Sequence, residues 1–345
     1  MSRRALTLLL ASLLALVLTG AAVATPVPYV ALSPGPTYNT LGEVGGKPVI
    51  DIKGTKVFPT DGHLDLTTVG VQPDLTLLEA LRGWFDRSEA VVPRDVVFPP
   101  DKTDGEVTAE NAQSMVRSQS SATTAAARQL GIDTGVRVEV AEVTAGSPSE
   151  GRLQVGDVLL TVEGAPVTDE MRLRALITAG GVGKALRIGY QRKGAKGVAT
   201  VTSVGAPDDA ARPVIGIKPA ETPLDLPFKV NITLDEVGGP SAGLMFTLGI
   251  LDKLSKASLT GGKYIAGTGE ITGDGVVGPI GGITQKLIAA RAKGAVVFLV
   301  PTRNCAEAVV RAPEGLMLVS VATLGDALKG LAAVRAGSTP SLCAA

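Results

Sequence analysis

Aromatic residues, histidine and cysteine are scarce in this sequence, and each shortage excludes a class of function. Phe, Trp and Tyr together make up 3% of the 345 residues, which leaves few rings on which nucleic-acid bases could stack. Lys plus Arg and Asp plus Glu both number 33, so no basic field is present to hold a phosphate backbone. One histidine and two cysteines are too few for a zinc site. We therefore expect neither a nucleic-acid partner nor a metal or other cofactor.

Charge is also missing from residues 5–24, which follow Arg3 and Arg4. As a helix, about 20 residues at ~1.5 Å each span roughly 30 Å, the thickness of a bilayer core. Arginines before an apolar run favour a cytoplasmic N-terminus. We therefore predict a transmembrane anchor within residues 1–30, a single-pass protein of the cell membrane and an extracytoplasmic body. The alternative is a cleaved signal peptide, since Ala22-Val23-Ala24 resembles a cleavage site.

The two cysteines, Cys305 and Cys343, both lie in the C-terminal part of the chain. In an oxidising compartment an even pair favours a disulfide, which here would join the end of the chain to a loop. Two unpaired thiols are the alternative, because the sequence supplies no distance between the sulfur atoms.

The remaining chain divides by pattern into several segments. Residues 31–121 form an N-terminal region with strand-like runs and a helical pattern over 74–87, and no motif assigns a role to residues 43–111. Residues 213–336 alternate strand-like and helical patterns, and residues 337–345 form a tail. The expected fold class is a multidomain α+β protein with an N-terminal transmembrane helix, a β-rich middle domain and a C-terminal α+β domain.

Residues 122–205 have the motif order of a small β-rich domain. A strand leads to Gly146-Ser147-Pro148, and Gly156-Asp157 opens a second strand that ends at Glu163-Gly164. These stretches resemble a bacterial PDZ domain. The resemblance implies a groove that takes an extended peptide as an added strand and binds its terminal carboxylate through backbone N–H groups. Leu130-Gly131-Ile132 would be the carboxylate-binding loop by its place before the first strand, although the same residues fit a plain turn, and the whole domain also fits a rigid spacer.

A single serine, Ser241, stands at the start of the apolar helical run GGPSAGLMFTLGIL. The only histidine, His63, is far away in sequence, so a nucleophilic serine here would need a lysine as its base. Burial in an apolar pocket lowers the pKa of lysine from about 10.4 by up to several units. Lys286 has such a background, because Ile283 and Leu287 fall on the same face of its predicted helix. The pattern alone also fits a serine that caps a helix and a lysine whose ammonium group reaches solvent.

Two stretches, GGPSAGLMFTLGIL and GTGEITGDGVVGPIGGITQKLIAARAKGAVVFLVP, resemble the proteolytic domain of Lon proteases. In that family a serine in a PSAG motif and a lysine in the helix after Gly-Gly hydrolyse peptides as a dyad. The resemblance covers residues 213–336. It implies Ser241 as the nucleophile, Lys286 as the general base and Thr268 as the threonine that hydrogen-bonds the lysine.

The order of these segments is similar to that of the PDZ-Lon membrane-bound serine peptidases of bacteria. It implies an ATP-independent endopeptidase that cuts unfolded or extended extracytoplasmic proteins selected by its PDZ-like domain. Residues 273–278 match GxGxxG, but Pro279 follows, so no helix N-terminus is available for a pyrophosphate. The alternative function is a membrane-tethered peptide-binding scaffold or holdase with an inactive Lon-like domain. Lon-type domains resemble ring formers, which by analogy suggests a homo-oligomeric ring.

Overall fold

The computed structural model describes residues 3–132, 135–207, 209–223, 226–234 and 237–344. The helices are α1 (Arg3–Ala24), α2 (Leu77–Phe85), α3 (Arg94–Val97), α4 (Asp104–Gln129), α5 (Glu170–Gly180), α6 (Gly243–Leu254), α7 (Ile283–Ala292), α8 (Cys305–Val310) and α9 (Leu324–Arg335), with a 3-10 turn at Thr302–Asn304. The strands are β1 (Pro26–Val27), β2 (Tyr29–Asn39), β3 (Glu43–Val44), β4 (Lys47–Pro48), β5 (Ile50–Lys53), β6 (His63–Gln72), β7 (Leu75–Thr76), β8 (Ala90–Pro93), β9 (Val136–Val143), β10 (Val158–Val162), β11 (Ala165–Pro166), β12 (Ala185–Arg192), β13 (Ala195–Thr202), β14 (Val204–Ala206), β15 (Asp209–Val214), β16 (Ile217–Pro223), β17 (Lys229–Ile232), β18 (Tyr264–Gly267), β19 (Glu270–Ile271), β20 (Val277–Gly278), β21 (Val297–Pro301) and β22 (Met317–Val321).

The larger sheet joins the two ends of the sequence. Its strand order is β22-β21-β18-β6-β2-β8. The first four strands run parallel, whereas β2 and β8 are antiparallel to their neighbours. Strand β18 pairs with β6 only as far as Leu66, and β6 then continues to Gln72 beside β2. The second half of β6 therefore extends beyond its partner on the β18 side.

Alternating side chains of this sheet fill two cores. On β21, Val297 and Leu299 pack with α4, α6 and α9, whereas Phe298 and Val300 pack with α7 and α8. Burial on both faces explains why the sequence of β21 is continuously apolar. Helix α6 is buried over almost its whole length, because it packs against both β6 and α4.

The predicted boundary between residues 121 and 122 is wrong, because it falls inside a helix. Helix α4 passes this point without a break, and its buried residues Met115 and Ala122 belong to the same core as α6. Strand β17 also pairs with β5 of the N-terminal region. Residues 31–121 therefore complete the C-terminal domain, and the smaller β-rich domain is an insertion after α4.

The smaller domain is an antiparallel sheet that α5 covers. Its strand order is β13-β12-β10-β9-β16, with β11 paired to β10. Leu173 and Ile177 of α5 pack on Val138 and Leu159 of the sheet. The edge strand β16 comes from residues that the sequence analysis assigned to the C-terminal domain. The domain predicted for residues 122–205 therefore lacks its edge strand.

Helix α1 is 22 residues long and exposes large apolar side chains, such as Leu8 at 69% and Leu16 at 71%. Among the described residues, no helix combines the length and the apolar content that a membrane crossing needs. The predicted transmembrane anchor therefore has no support from the structure and stays a prediction.

A disulfide joins Cys305 and Cys343, as predicted. It ties the start of α8 to the C-terminal tail. The tail runs beside β22, where Ser320 N donates to Ser341 O at 2.9 Å and Cys343 N donates to Leu318 O at 3.0 Å. These bonds cover part of the outer edge of β22, which would otherwise expose unpaired backbone groups.

Candidate active site

Ser241 lies in the tight connection that leads into α6. Gly239 has a left-handed conformation with φ 84°, and a Cβ on Gly238 would come within 3.0 Å of the Asn111 Cβ, so both positions favour glycine. The N-cap of α6 is Ala242, and no side chain caps this helix. The alternative interpretation of Ser241 as a capping residue is therefore wrong, and its hydroxyl group bonds elsewhere.

Lys286 projects from the first turn of α7, and Gly282 fixes where that helix begins. Gly282 is the N-cap with φ 67°, and a Cβ there would lie 2.7 Å from Val69 Cγ2. Lys286 is only 3% exposed and shares its buried face with Ile283 and Leu287. The prediction that Lys286 faces inward on an apolar background is confirmed.

Ser241, Lys286 and Thr268 meet at the carboxyl end of β18. Lys286 Nζ lies 2.8 Å from Ser241 Oγ and 3.0 Å from Thr268 Oγ1. The buried Thr268 hydroxyl donates to the Ser241 carbonyl oxygen at 3.1 Å, and Gly269 N donates to the same oxygen at 2.8 Å. The structure thus brings together the three residues that the sequence singled out.

Burial lowers the pKa of Lys286 from its ordinary 10.5 to about 8, because an ammonium group loses its hydration in this pocket. The negative charge of Glu270 opposes this shift and raises the pKa by a smaller amount. At pH 7 roughly one amine in ten is then neutral, compared with roughly one in a few thousand for an exposed lysine. A neutral amine at this distance can accept the proton of the Ser241 hydroxyl.

Glu270 also lines the cleft, although no sequence motif predicted it as a site residue. It is the first residue of β19 and lies on the exposed rim of the cleft that Ser241 and Lys286 line. Partial burial raises the pKa of its carboxyl group, whereas the charges of Lys218 and Lys286 lower it. Its place directly after Thr268-Gly269 was the signal that could have identified it.

The cleft has a volume of about 460 Å³. One wall consists of β6 residues 66–70, and the other consists of the loop before α6 together with Ile280 and Gly281. Because β18 pairs with β6 only up to Leu66, the backbone of residues 67–70 borders the cleft without a described strand partner on that side. His63 begins the same strand, where its ring stacks on Tyr264 at a centroid distance of 4.2 Å.

Leu130-Gly131-Ile132 forms the end of α4. The N–H groups of all three residues donate to carbonyl oxygens of that helix at 3.0 to 3.1 Å. Gly131 has φ 71°, the left-handed conformation with which many helices end. No N–H group of this loop remains for a peptide carboxylate. The prediction of a carboxylate-binding loop here is therefore wrong, and the turn interpretation describes the residues.

Strand β16 forms one edge of the smaller sheet, opposite β13. Among the described strands it pairs only with β9, and it packs against both α4 and α5, with Ser120 Oγ of α4 donating to the Glu221 carbonyl oxygen at 3.0 Å. Glu221, near the end of β16, accepts a hydrogen bond from Glu170 N at the start of α5 at 2.6 Å and forms an ion pair with Arg128 of α4. Strand β16, which lies outside the predicted domain of residues 122–205, thus supplies one wall of the groove between β16 and α5.

Comparison with protein families assigns both domains. Residues 233–331 match the Lon protease (S16) C-terminal proteolytic domain, and residues 109–202 match the PDZ domain. The chain therefore carries a PDZ domain and a serine-peptidase domain of the Lon type, as the motifs predicted. The matched PDZ residues end before β16, so the family comparison does not include the strand that the structure adds to this sheet.

Curated relatives include Lon proteases of several bacteria. Lon protease 2 of Bacillus subtilis is 32% identical over 114 residues, which are 33% of this chain and 20% of the relative. The Lon proteases of Lachnoclostridium phytofermentans and Azospirillum brasilense are 38% and 39% identical over 97 and 94 residues, and each match covers 26% of this chain and 11% of the relative. The matches thus span a fifth or less of the length of these relatives.

Similar solved structures include the PDZ domains of SdrC-like proteins from Listeria monocytogenes and Listeria innocua. Each is 22% identical to this chain, covers 25% of it and has a TM-score of 0.22. The matches cover 88% and 93% of the two solved chains.

Proposed function

We propose that this chain is an ATP-independent serine endopeptidase with Ser241 and Lys286 as its catalytic dyad. The observation that carries the proposal is the 2.8 Å distance between Lys286 Nζ and Ser241 Oγ, at a lysine that is 3% exposed. General-base activation of a hydroxyl group requires a neutral base within hydrogen-bond reach. The Lon-type proteolytic domain supports the same chemistry.

In the proposed reaction, neutral Lys286 takes the proton of Ser241 as Oγ bonds to the carbonyl carbon of the scissile peptide. The electron pair of the carbonyl moves to its oxygen, which backbone N–H groups before α6 stabilise. Lys286 then returns the proton to the leaving amine as the C–N bond breaks, and an acyl-enzyme remains. Water that Lys286 deprotonates attacks the ester, releasing the second fragment and Ser241.

Thr268 holds the two members of the proposed dyad in position. Its Oγ1 accepts a hydrogen bond from Lys286 Nζ at 3.0 Å and donates to the Ser241 carbonyl oxygen at 3.1 Å. Because one hydroxyl group contacts both residues, it fixes their relative position without taking part in the proton transfer.

The cleft favours an extended peptide as substrate. Residues 67–70 of β6 border it without a described partner strand, so a peptide could pair with this backbone as an added strand. The backbone groups of a folded segment are already hydrogen-bonded and cannot pair in this way. Unfolded or extended proteins are therefore the proposed substrates. The sequence contains no GxxxxGKS or GxxxxGKT motif, which supports a reaction without ATP.

The PDZ domain selects the substrate in this proposal. Its edge strand β16 contacts α4 and α5, and Ser120 of α4 already donates to the Glu221 carbonyl oxygen, so an extended chain would add by backbone hydrogen bonds to the part of that edge before Glu221. Glu221 of this strand is tied to α4 through Arg128, and α4 packs against α6 of the proteolytic domain. A peptide bound at β16 would therefore be held next to the domain that cuts it.

An extracytoplasmic position of the body is part of the proposal, together with the predicted membrane anchor in residues 1–30. It is supported by the Cys305–Cys343 disulfide, since such bonds persist in oxidising compartments. A protease added to intact spheroplasts should then degrade the protein. Protection until the cells are lysed would contradict this position.

Mass spectrometry of peptides released from unfolded β-casein tests the activity. The full chain in detergent, without ATP, is compared with Ser241→Ala and Lys286→Ala, and Lys293→Ala serves as the matched control, because Lys293 is an exposed lysine at the end of the same helix. We expect cleavage by the wild type and Lys293→Ala. We expect a loss of at least three orders of magnitude in rate for the other two variants.

Near wild-type cleavage by Lys286→Ala would rule out the proposed dyad. A wild type that binds unfolded β-casein without releasing peptides would instead favour the peptide-binding scaffold.

A further inference from the structure

Helix α4 contacts the loop that carries Ser241. Ser118 of α4 is 5% exposed, and its Oγ donates to the Pro240 carbonyl oxygen at 2.9 Å. Gly239 N donates to the Asn111 carbonyl oxygen of the same helix at 2.8 Å. The other described donor to the Pro240 oxygen is Gly243 N at 3.4 Å, beyond the usual length for such a bond. Ser118 is therefore the main partner of this carbonyl group.

The orientation of the Pro240 carbonyl group fixes the N–H group of Ser241. In a trans peptide unit the C=O and the following N–H lie in one plane and point in opposite directions. Because the Pro240 oxygen points to Ser118, the N–H of Ser241 points away from α4. The next peptide unit is fixed in the same way, since the Ser241 oxygen accepts hydrogen bonds from Gly269 N and Thr268 Oγ1.

The carbonyl oxygen of each peptide unit beside Ser241 is thus held by hydrogen bonds, whereas the N–H group of each unit has no acceptor in the described part of the chain. No described residue accepts a hydrogen bond from Ser241 N or Ala242 N. Ala242 is only 3% exposed, and buried N–H groups without a partner are rare in folded proteins. Ser241 and Ala242 also line the cleft, so a group bound there could supply the missing acceptor.

We propose that Ser118 is a positioning residue that directs the N–H of Ser241 toward the oxyanion of the tetrahedral intermediate. This inference rests on the proposed function and adds to it a residue outside the Lon-type match of residues 233–331. Ser118 acts through Pro240 and does not touch the substrate. An oxyanion forms only after Oγ has bonded to the carbonyl carbon, so the loss of this contact should lower kcat and leave KM unchanged.

A buried hydroxyl group on the same helix provides a matched control. Thr124 is fully buried, and its Oγ1 donates to the Ser120 carbonyl oxygen of α4 at 3.1 Å. Removing this hydroxyl group in Thr124→Val changes the packing of α4 in a similar way but leaves the Pro240 contact in place.

The test compares the full-length wild type with Ser118→Ala, Ser118→Thr and Thr124→Val. The first readout is kcat and KM for a fluorogenic peptide built on a bond that the wild type cuts in β-casein. The second readout is the affinity for a boronate of the same peptide, which forms a tetrahedral adduct with the serine. We expect Ser118→Ala to lower kcat and boronate affinity about 10- to 100-fold at constant KM. Ser118→Thr should restore most of the kcat and of the boronate affinity, and Thr124→Val should match the wild type in both quantities.

The outcomes separate this inference from the proposed function. A wild type that cuts peptides, beside a Ser118→Ala variant with unchanged kcat and boronate affinity, would overturn the role of Ser118 alone. A loss in Ser118→Ala that Thr124→Val equals, or that appears mainly in KM, would show a packing effect and also overturn it. A wild type that cuts no peptide would overturn the proposed function and this inference with it.

Discussion

Lys286 Nζ and Ser241 Oγ lie 2.8 Å apart, although 45 positions separate the two residues in the sequence. Helix α7, which carries Lys286, and helix α6, which follows the Ser241 loop, pack on opposite faces of the larger sheet. The side chains of Lys286 and Ser241 therefore meet only at an end of the sheet, where Thr268 directly follows β18. This placement buries the amine and leaves the serine on the wall of a cleft.

The activity of the wild type should rise with pH up to about 8. Lys286 acts as a base only when it is neutral, and burial lowers its pKa to about 8. A profile of kcat/KM against pH should rise about tenfold per unit below that value and level off above it. Lys286→Arg is the control, because a guanidinium group stays protonated throughout, and it should be inactive at every pH. A flat wild-type profile would contradict the role of Lys286.

Stability should also depend on pH through Lys286. Its pKa is about 8 in the folded protein and 10.5 as the ordinary value for an unfolded chain. Between these values the unfolded chain binds more protons, so the free energy of unfolding rises with pH, whereas below about pH 8 the contribution is constant. Across this window the wild type should gain about 3 kcal/mol relative to Lys286→Met in urea unfolding. A difference between the two proteins that is independent of pH would show that the amine is not desolvated.

Thr268→Val should lower activity while the fold persists. Valine has nearly the shape of threonine, but it cannot accept from Lys286 Nζ or donate to the Ser241 carbonyl oxygen. A loss of alignment in the dyad should reduce kcat by about 10- to 100-fold. Thr268→Ser keeps the hydroxyl group and should retain most of the activity. Equal kcat values for the valine and serine variants would argue that the hydroxyl group has no role.

Arg128→Ala should destabilise the junction between α4 and the PDZ domain. Glu221 is 3% exposed, and its Oε2 lies 2.9 Å from Arg128 Nη1. Without the arginine a buried carboxylate remains unpaired, which should reduce the free energy of unfolding by about 2 to 4 kcal/mol. Adding Glu221→Gln should restore part of that loss, as measured by urea unfolding. If the loss in the double variant equals the sum of the losses in Arg128→Ala and Glu221→Gln, the two residues are not coupled.

Gly131→Ala should cost stability and leave peptide binding unchanged. Gly131 has φ 71°, and alanine in this left-handed conformation costs about 1 kcal/mol. Its N–H group is bonded within α4, so it is not available to a ligand. The measurements are the thermal midpoint and the fluorescence anisotropy of labelled β-casein peptides. Weaker peptide binding at unchanged stability would show that residues 130–132 belong to the peptide-binding site.

Much of the candidate site was predictable because its residues stand in short local motifs. Ser241 stands two residues before α6 in the PSAG motif, and Lys286 lies in a helix that follows two glycines and whose apolar spacing turns the lysine inward. The PDZ domain was also predictable, because its motifs at residues 146–148 and 156–164 are short and continuous in the sequence. The edge strand β16 of that domain was not predictable, because a strand pattern does not indicate which of two sheets will accept the strand.

Local sequence specifies the two domain types, the nucleophile and base candidates, and the inward face of Lys286, because each depends on residues near one another in the chain. That residues 31–121 complete the proteolytic domain is visible only in the folded chain, since the contacts of this domain join residues such as Asp65 and Tyr264, which are 199 positions apart. The pairing of β16 with β9 and the contact of Ser118 with Pro240 also join residues that are far apart in the sequence. Strand partners and the burial that lowers the pKa of Lys286 are properties of the assembled core, and no local pattern specifies them.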